Sequence, residues 1–259
     1  MKKILSLALV VIMCLFAMVA CNDSGSDLEY VKDKGVLVVG ITDYAPMDYK
    51  DKNGEWTGFD AEFARAFAKD LGVEVEFVEI NWDRKFEELN AKTIDCIWNG
   101  MTITDEVTLN TSCSNAYVKN AQVLVMAADK IANYTTIDSI KGLKIAVENE
   151  SAGEKALTAN NFAADAYVEV DTQAKALLEV KAGTVDACVI DITMAKAMTG
   201  EGTEYANLAF GLELTTEEYG IGFRKDSDLT AKINEYMTKA KADGSLQTLA
   251  DKYKLNLAD

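Results

Sequence analysis

The chain has 259 residues, with 42 Asp and Glu against 26 Lys and Arg, no histidine, and a formal charge of −16 at pH 7. Such acidity excludes a phosphate-neutralising nucleic-acid surface and broad adhesion to anionic lipid. The lack of histidine excludes His-based triads, His-ligated metals and histidine pH switches, and no metal or cofactor is expected.

In chain order, residues 1–20 read as a signal peptide: Lys2 and Lys3 precede an apolar run from Ile4 to Ala20, broken by Ser6. Met18-Val19-Ala20-Cys21 has the arrangement of a bacterial lipoprotein cleavage site, with Cys21 lipidated. The plainer alternative is an ordinary secretory signal or an uncleaved anchor. Residues 21–33 read as the lipidated cysteine and a flexible polar tether. No second apolar run is long enough to cross a bilayer. Cys96, Cys113 and Cys188 sit in apolar or strand-like settings and read as buried free thiols.

Val36–Ile41 reads as a buried strand, and Asp51-Lys52-Asn53-Gly54 as a hairpin turn. Asp60 is the expected N-cap of a helix whose apolar face is Phe63, Ala64, Phe67, Ala68 and Leu71, stopped by Gly72. A strand over 73–78, a helix begun by Asp83, and a strand over 94–98 follow. This is β-α-β-α-β grammar, which places ligands beyond the carboxyl ends of a parallel sheet. A second copy runs through strands at 122–126, 142–147, 167–170 and 185–190, with helices opening at Ser151 and Thr172. A strand at 219–223 and two helices, split by Gly244, close the chain.

The stretch from Asp95 to Val107 reads as a strand, a glycine turn at Gly100 and a helix start capped by Thr104. With Thr42-Asp43, Ala45-Pro46, Gly58-Phe59-Asp60, Trp82-Asp83, Gly100-Met101-Thr102-Ile103-Thr104, Tyr117, Asp186 to Asp191 and Tyr219-Gly220-Ile221, it resembles the extracytoplasmic solute-binding proteins of ABC importers, polar amino acid group, over roughly 34–255. The resemblance implies an α/β fold of periplasmic-binding-protein type II, a Venus flytrap of two lobes joined by two crossing hinge strands. Lobe 1 would be 34–120 plus 220–259 and lobe 2 121–219. A small polar solute would lie in the cleft, and the lobes would close on it by hinge bending.

A buried zwitterion needs a partner for each charge. The resemblance gives the ammonium to Asp191, which also reads as the N-cap of a helix over 192–198. It gives the carboxylate to an arginine after Thr-x-Thr, and this chain has Val107 there. Losing charge-assisted hydrogen bonds of that kind costs roughly 1.5–3 kcal/mol. Other donors are then needed (Thr102, backbone N–H groups, Arg84 or Lys119), or the ligand lacks an α-carboxylate, or the protein has given up small-ligand transport. Asn99, Gly100 and Thr102 take the lobe 1 hydrogen-bonding positions, and Ser151 the helix start of lobe 2. Asp43 is either a turn-former or a polar contact; Tyr44 and Trp82 are either core or aromatic walls. Trp98 is expected to face the core. Glu148 and Glu150 add acidity beside Ser151, which favours a cationic solute.

The expected function is a monomeric lipoprotein, anchored outside the cytoplasm through Cys21, that delivers a small amine-bearing solute to an ABC permease and performs no covalent chemistry. The competing classes are a cleft dehydratase on the same fold, with Glu148 or Glu150 as acid, and a ligand-sensing module.

Overall fold

The computed structural model describes residues 25–259; the leader and Cys21 lie outside the described residues. Among those described, no helix is long and apolar enough to cross a membrane. Strands are numbered in chain order. β1 (Val36–Ile41) is the expected buried β-branched run, and β2 (Tyr49–Lys50) and β3 (Trp56–Thr57) form the hairpin around the Asp51–Gly54 turn. β4 (Glu74–Glu79) and β5 (Cys96–Thr102) flank β1 in parallel, as helix-linked strands must. β6 (Ser112–Cys113) and β7 (Val118–Asn120) pair with the late strand β13 (Glu217–Phe223), which runs antiparallel to β5. The first sheet thus has the order β4-β1-β5-β13-β6, with β7 also on β13.

The second sheet is built from β8 (Gln122–Ala127), β9 (Ile145–Glu148), β10 (Tyr167–Val170), β11 (Ala187–Asp191) and β12 (Leu208–Glu213), in the order β10-β9-β11-β8-β12. The chain crosses from one sheet to the other at Ala121, and returns between β12 and β13, so Glu217–Tyr219 pair with the first sheet. Two lobes joined by two crossings result, each with helices against its sheet. In the first lobe Phe59, Phe63 and Phe67 of helix Phe59–Leu71 pack on Trp98 and Tyr117, with Phe63 edge-on to Trp98 at 5.2 Å. Trp98 faces this core, as its alternation with Asn99 requires.

Several local expectations change. Asp27–Lys34 is a helix rather than the end of a tether: Ser26 caps it, accepting from Glu29 N at 2.9 Å, and Arg224 holds Asp27 at 3.0 Å. Asp60 is not an N-cap. Gly58 takes that place with φ 119°, where a Cβ would stand 2.1 Å from Met47 O. The Asp60 carboxylate instead turns inward, accepting from Gly100 N at 2.6 Å and the Tyr117 hydroxyl at 2.8 Å. Asp83 lies within a 3-10 turn, Trp82–Arg84, and the helix proper is Lys85–Asn90. Gly100 does not end its strand but continues β5 with φ 56°, opposite a register shift in β13 between Gly220 and Gly222. Two extra residues of β5 are thereby bulged toward the interlobe cleft, the usual use of a bulge near a site. Cys96 and Cys188 are buried free thiols, but Cys113 is only partly buried.

Candidate ligand cleft

The carboxyl ends of β1 and β5 face those of β9 and β11, and the crevice between them is a narrow cleft. All nine residues singled out from the sequence line it: Asp43, Tyr44, Trp82, Asn99, Gly100, Thr102, Val107, Ser151 and Asp191. Their atoms are not equally free. Asn99 binds Thr42 at both ends of its amide, accepting from Thr42 N at 2.8 Å and donating to Thr42 Oγ1 at 2.7 Å, so it fixes the end of β1. Gly100 N is already given to Asp60. Ser151 caps helix Ala152–Ala159, accepting from Glu154 N at 3.2 Å. Val107 is apolar and buried, and its N–H goes to Thr104 Oγ1 at 3.2 Å.

Neither cation considered as a substitute for the absent arginine reaches the cleft. Arg84 is exposed and paired with Glu87 at 3.0 Å; Lys119 pairs with Asp259 at 3.1 Å on another face. The cleft holds Lys85 and Lys155 instead. Lys85 is 3% exposed. Its ammonium donates to Trp82 O at 3.0 Å and Glu150 O at 3.4 Å and lies 4.8 Å from the Trp82 ring centre. Trp82, Lys85, Phe86 and Leu89 have the spacing of one helical face, so a lysine inside that stripe was the available signal.

The opposite charge gathers at the end of β11. Asp191 and Glu217 are bridged by two amides: Asn120 donates to Asp191 Oδ1 and to Glu217 Oε1 (2.6 Å to the latter), and Gln122 Nε2 donates to both at 2.7 Å. Gln173 Nε2 also donates to Asp191 Oδ2, while Thr102 Oγ1 donates to Glu217 at 2.7 Å. Burial, then the nearby Glu217, pushes the Asp191 carboxyl up to about 7. Burial, then Asp191, pushes Glu148 up to about 8. Burial also raises Asp43. Glu217 carries little sequence signal, because its role comes from β13 pairing with β7, which sets it opposite Asn120.

Contacts tie the lobes across the cleft. The Tyr44 hydroxyl is hydrogen-bonded to Thr193 Oγ1 at 2.5 Å and to the Tyr219 hydroxyl, and Lys155 pairs with Glu106. Tyr44 is therefore an interlobe strut as well as a wall. Gly100 gives it room: a Cβ there would lie 2.5 Å from Tyr44 Cε1 and 3.2 Å from Tyr219 Cε2. Gly100→Ala should destabilise by about 2–4 kcal/mol, adding left-handed backbone strain to overpacking, as read by denaturant unfolding. Wild-type stability in that variant would show that the Tyr44 strut does not need this glycine.

The arrangement suits binding a solute with both charges. Burial raises the thiols of Cys96 and Cys188, and lifts Cys113 to about 11, which is unsuited to thiolate chemistry. Among the described residues no group of three or more His, Cys, Asp or Glu side chains is placed to hold a metal ion.

The profile of bacterial extracellular solute-binding proteins, family 3, matches residues 37–256. The L-cystine-binding protein TcyJ of Escherichia coli (strain K12) is 30% identical over 229 residues, covering 87% of this chain and 85% of that protein. A substrate-binding protein of an ABC uptake transporter from Streptococcus pneumoniae, solved with bound histidine, superposes with a TM-score of 0.81 at 30% identity, covering 89% of this chain and 96% of that one. The ancestral amino acid-binding protein AncCDT-1, a precursor of cyclohexadienyl dehydratase, gives 0.79 at 30% identity, covering 88% and 99%.

Proposed function

The chain belongs to family 3 of the bacterial extracellular solute-binding proteins, and from that premise we propose that it captures an amine-bearing amino acid between its lobes and presents it to an ABC permease. Asp191, supported by Glu148, takes the ammonium group; Tyr44 and Trp82 form walls; Thr102, Asp43 and the Ser151 helix start complete the polar lining. A buried acid group facing a buried ammonium in one cleft is the observation that carries this. The protein acts as a monomer tethered outside the cytoplasm through lipidated Cys21, and binds without covalent chemistry.

Thermal-shift screening of the full chain in detergent against amino acids, polyamines and quaternary amines tests it. Ligand at 100 times its Kd adds about 2.7 kcal/mol, or roughly 5–10 °C in Tm for a chain of this size. We expect such a shift from one class of amino acid; no shift from any amine-bearing solute would overturn the proposal. A second reading is favoured by one observation: Glu148, pushed by burial and Asp191 up to about 8, is a candidate general acid lining the cleft of a chain whose overall fold is similar to that of a dehydratase precursor. Product formed in the same mixtures would decide for it.

A further inference from the structure

Val107 leaves the lobe 1 rim without a cation, yet a cation is buried a short way along the same wall. Lys85 is as inaccessible as the apolar residues around it. Its ammonium has three donors. Two are directed to the backbone carbonyls of Trp82 and Glu150, and no other acceptor and no carboxylate within ion-pair distance is found for it among the described residues. Charged groups this deep are normally paired. Here the acids stay one step away: Glu106 is engaged by Lys155, Glu150 offers only its carbonyl, and Glu148 lies toward Asp191. Val107 packs in one small cluster with Trp82, which places it and Lys85 on the same side of the cleft. Ala152, the first residue of helix Ala152–Ala159, lines the facing wall, where a helix N-terminus favours an anion.

We propose that Lys85 is this protein's receptor for the ligand's carboxylate, which is thereby moved from the start of helix Asp105–Asn110 to the start of helix Lys85–Asn90. The proposal rests on the cleft function above and deepens it: the ligand is an α-amino carboxylate, with its ammonium end at Asp191 and its carboxylate between Lys85 and the Ala152 end of lobe 2. A point-charge ammonium replaces a two-pronged guanidinium, so the anion is held by charge and less by fixed geometry. Because Lys85 also donates to the lobe 2 carbonyl of Glu150, a carboxylate there draws both lobes onto one anion.

The test uses matched pairs that differ only in the carboxylate: L-arginine and agmatine, L-histidine and histamine, L-cystine and cystamine, measured by calorimetry on the full chain in detergent. In the wild type, at least one pair should favour the amino acid by 100-fold or more. Lys85→Met should cut that preference ratio at least tenfold, and Lys85→Arg should retain most of it. Folding is read separately, from the ligand-free Tm. Methionine fills a similar volume without an unpaired buried charge, so Lys85→Met should melt at or above the wild-type temperature. A full preference ratio in Lys85→Met would overturn the assignment while leaving the cleft function intact. A ligand-free Tm well below wild type would mark Lys85 as structural and also overturn it. If no amino acid or amine binds the wild type, in these pairs or in the thermal-shift panel, the cleft function itself falls, and this assignment with it.

Discussion

Replacing Asp191 with alanine is expected to weaken ligand binding by 100-fold or more while leaving the ligand-free protein folded. The reason lies in how its carboxylate is supported. Asn120, Gln122 and Gln173 all donate to it, so both oxygens are held in place before any ligand arrives. An ammonium brought there meets a fixed, buried anion, and truncating one partner of such a pair costs roughly 2–5 kcal/mol. The rest of the network limits the damage to folding, because Asn120 and Gln122 keep Glu217 as an acceptor. Removal of one of several crowded carboxylates also relieves repulsion on Glu148. Calorimetry on the ligand found by thermal screening measures the loss; Glu148→Gln, expected to weaken binding less, controls for general acidity. Unchanged affinity in Asp191→Ala would show that the ammonium is held elsewhere.

The role of Asp191 against an ammonium is what the family resemblance implies, whereas its place at the end of a buried strand was legible from the sequence. The same holds for Val36–Ile41, whose unbroken apolar run fixed β1, and for helix Ile192–Met198. What escaped depended on distant pairing. Glu217 matters because a late strand returns to lie beside Val118–Asn120, and nothing local to Glu217 says so. β12 is an edge strand interrupted by Gly211 and a register shift, so its alternation is weak. Asp60 followed the capping rule on paper, but Gly58 could adopt the required backbone and freed the carboxylate to hold Gly100. Lys85 was hidden for another reason. A charge within an apolar stripe looks like a register error until the cleft is seen beside it.

The second large effect is on pH. Ligand affinity should rise about tenfold from pH 6 to pH 8, with close to one proton released on binding at pH 6 and almost none at pH 8. In the folded protein Asp191 titrates at about 7 and Glu148 at about 8. The groups around them are Glu217, which repels Asp191, the Tyr44 and Tyr219 hydroxyls, raised by burial and then by Asp191 (followed for Tyr219 by Tyr44), and Lys85, which favours ionised Glu148. An ammonium seated at Asp191 favours the ionised carboxylate, so binding expels its proton wherever the free protein still holds it. Ligand-free stability must move the opposite way. Both acids have folded values above their ordinary 3.8 and 4.5, so the folded chain binds more protons than the unfolded one. Their contribution to stability is full below about pH 4 and is lost as pH rises through about 7 to 8. Asp60, lifted by burial to about 7, adds a part that ligand cannot reverse, since its carboxylate binds Gly100 and Tyr117 rather than the cleft. The ligand-free Tm should therefore fall between pH 6 and pH 9, and saturating ligand should offset only the Asp191 and Glu148 share. Calorimetry in buffers of different ionisation enthalpy counts the proton. Proton uptake on binding, or a Kd flat across pH 6–8, would mean that the ammonium does not sit against Asp191.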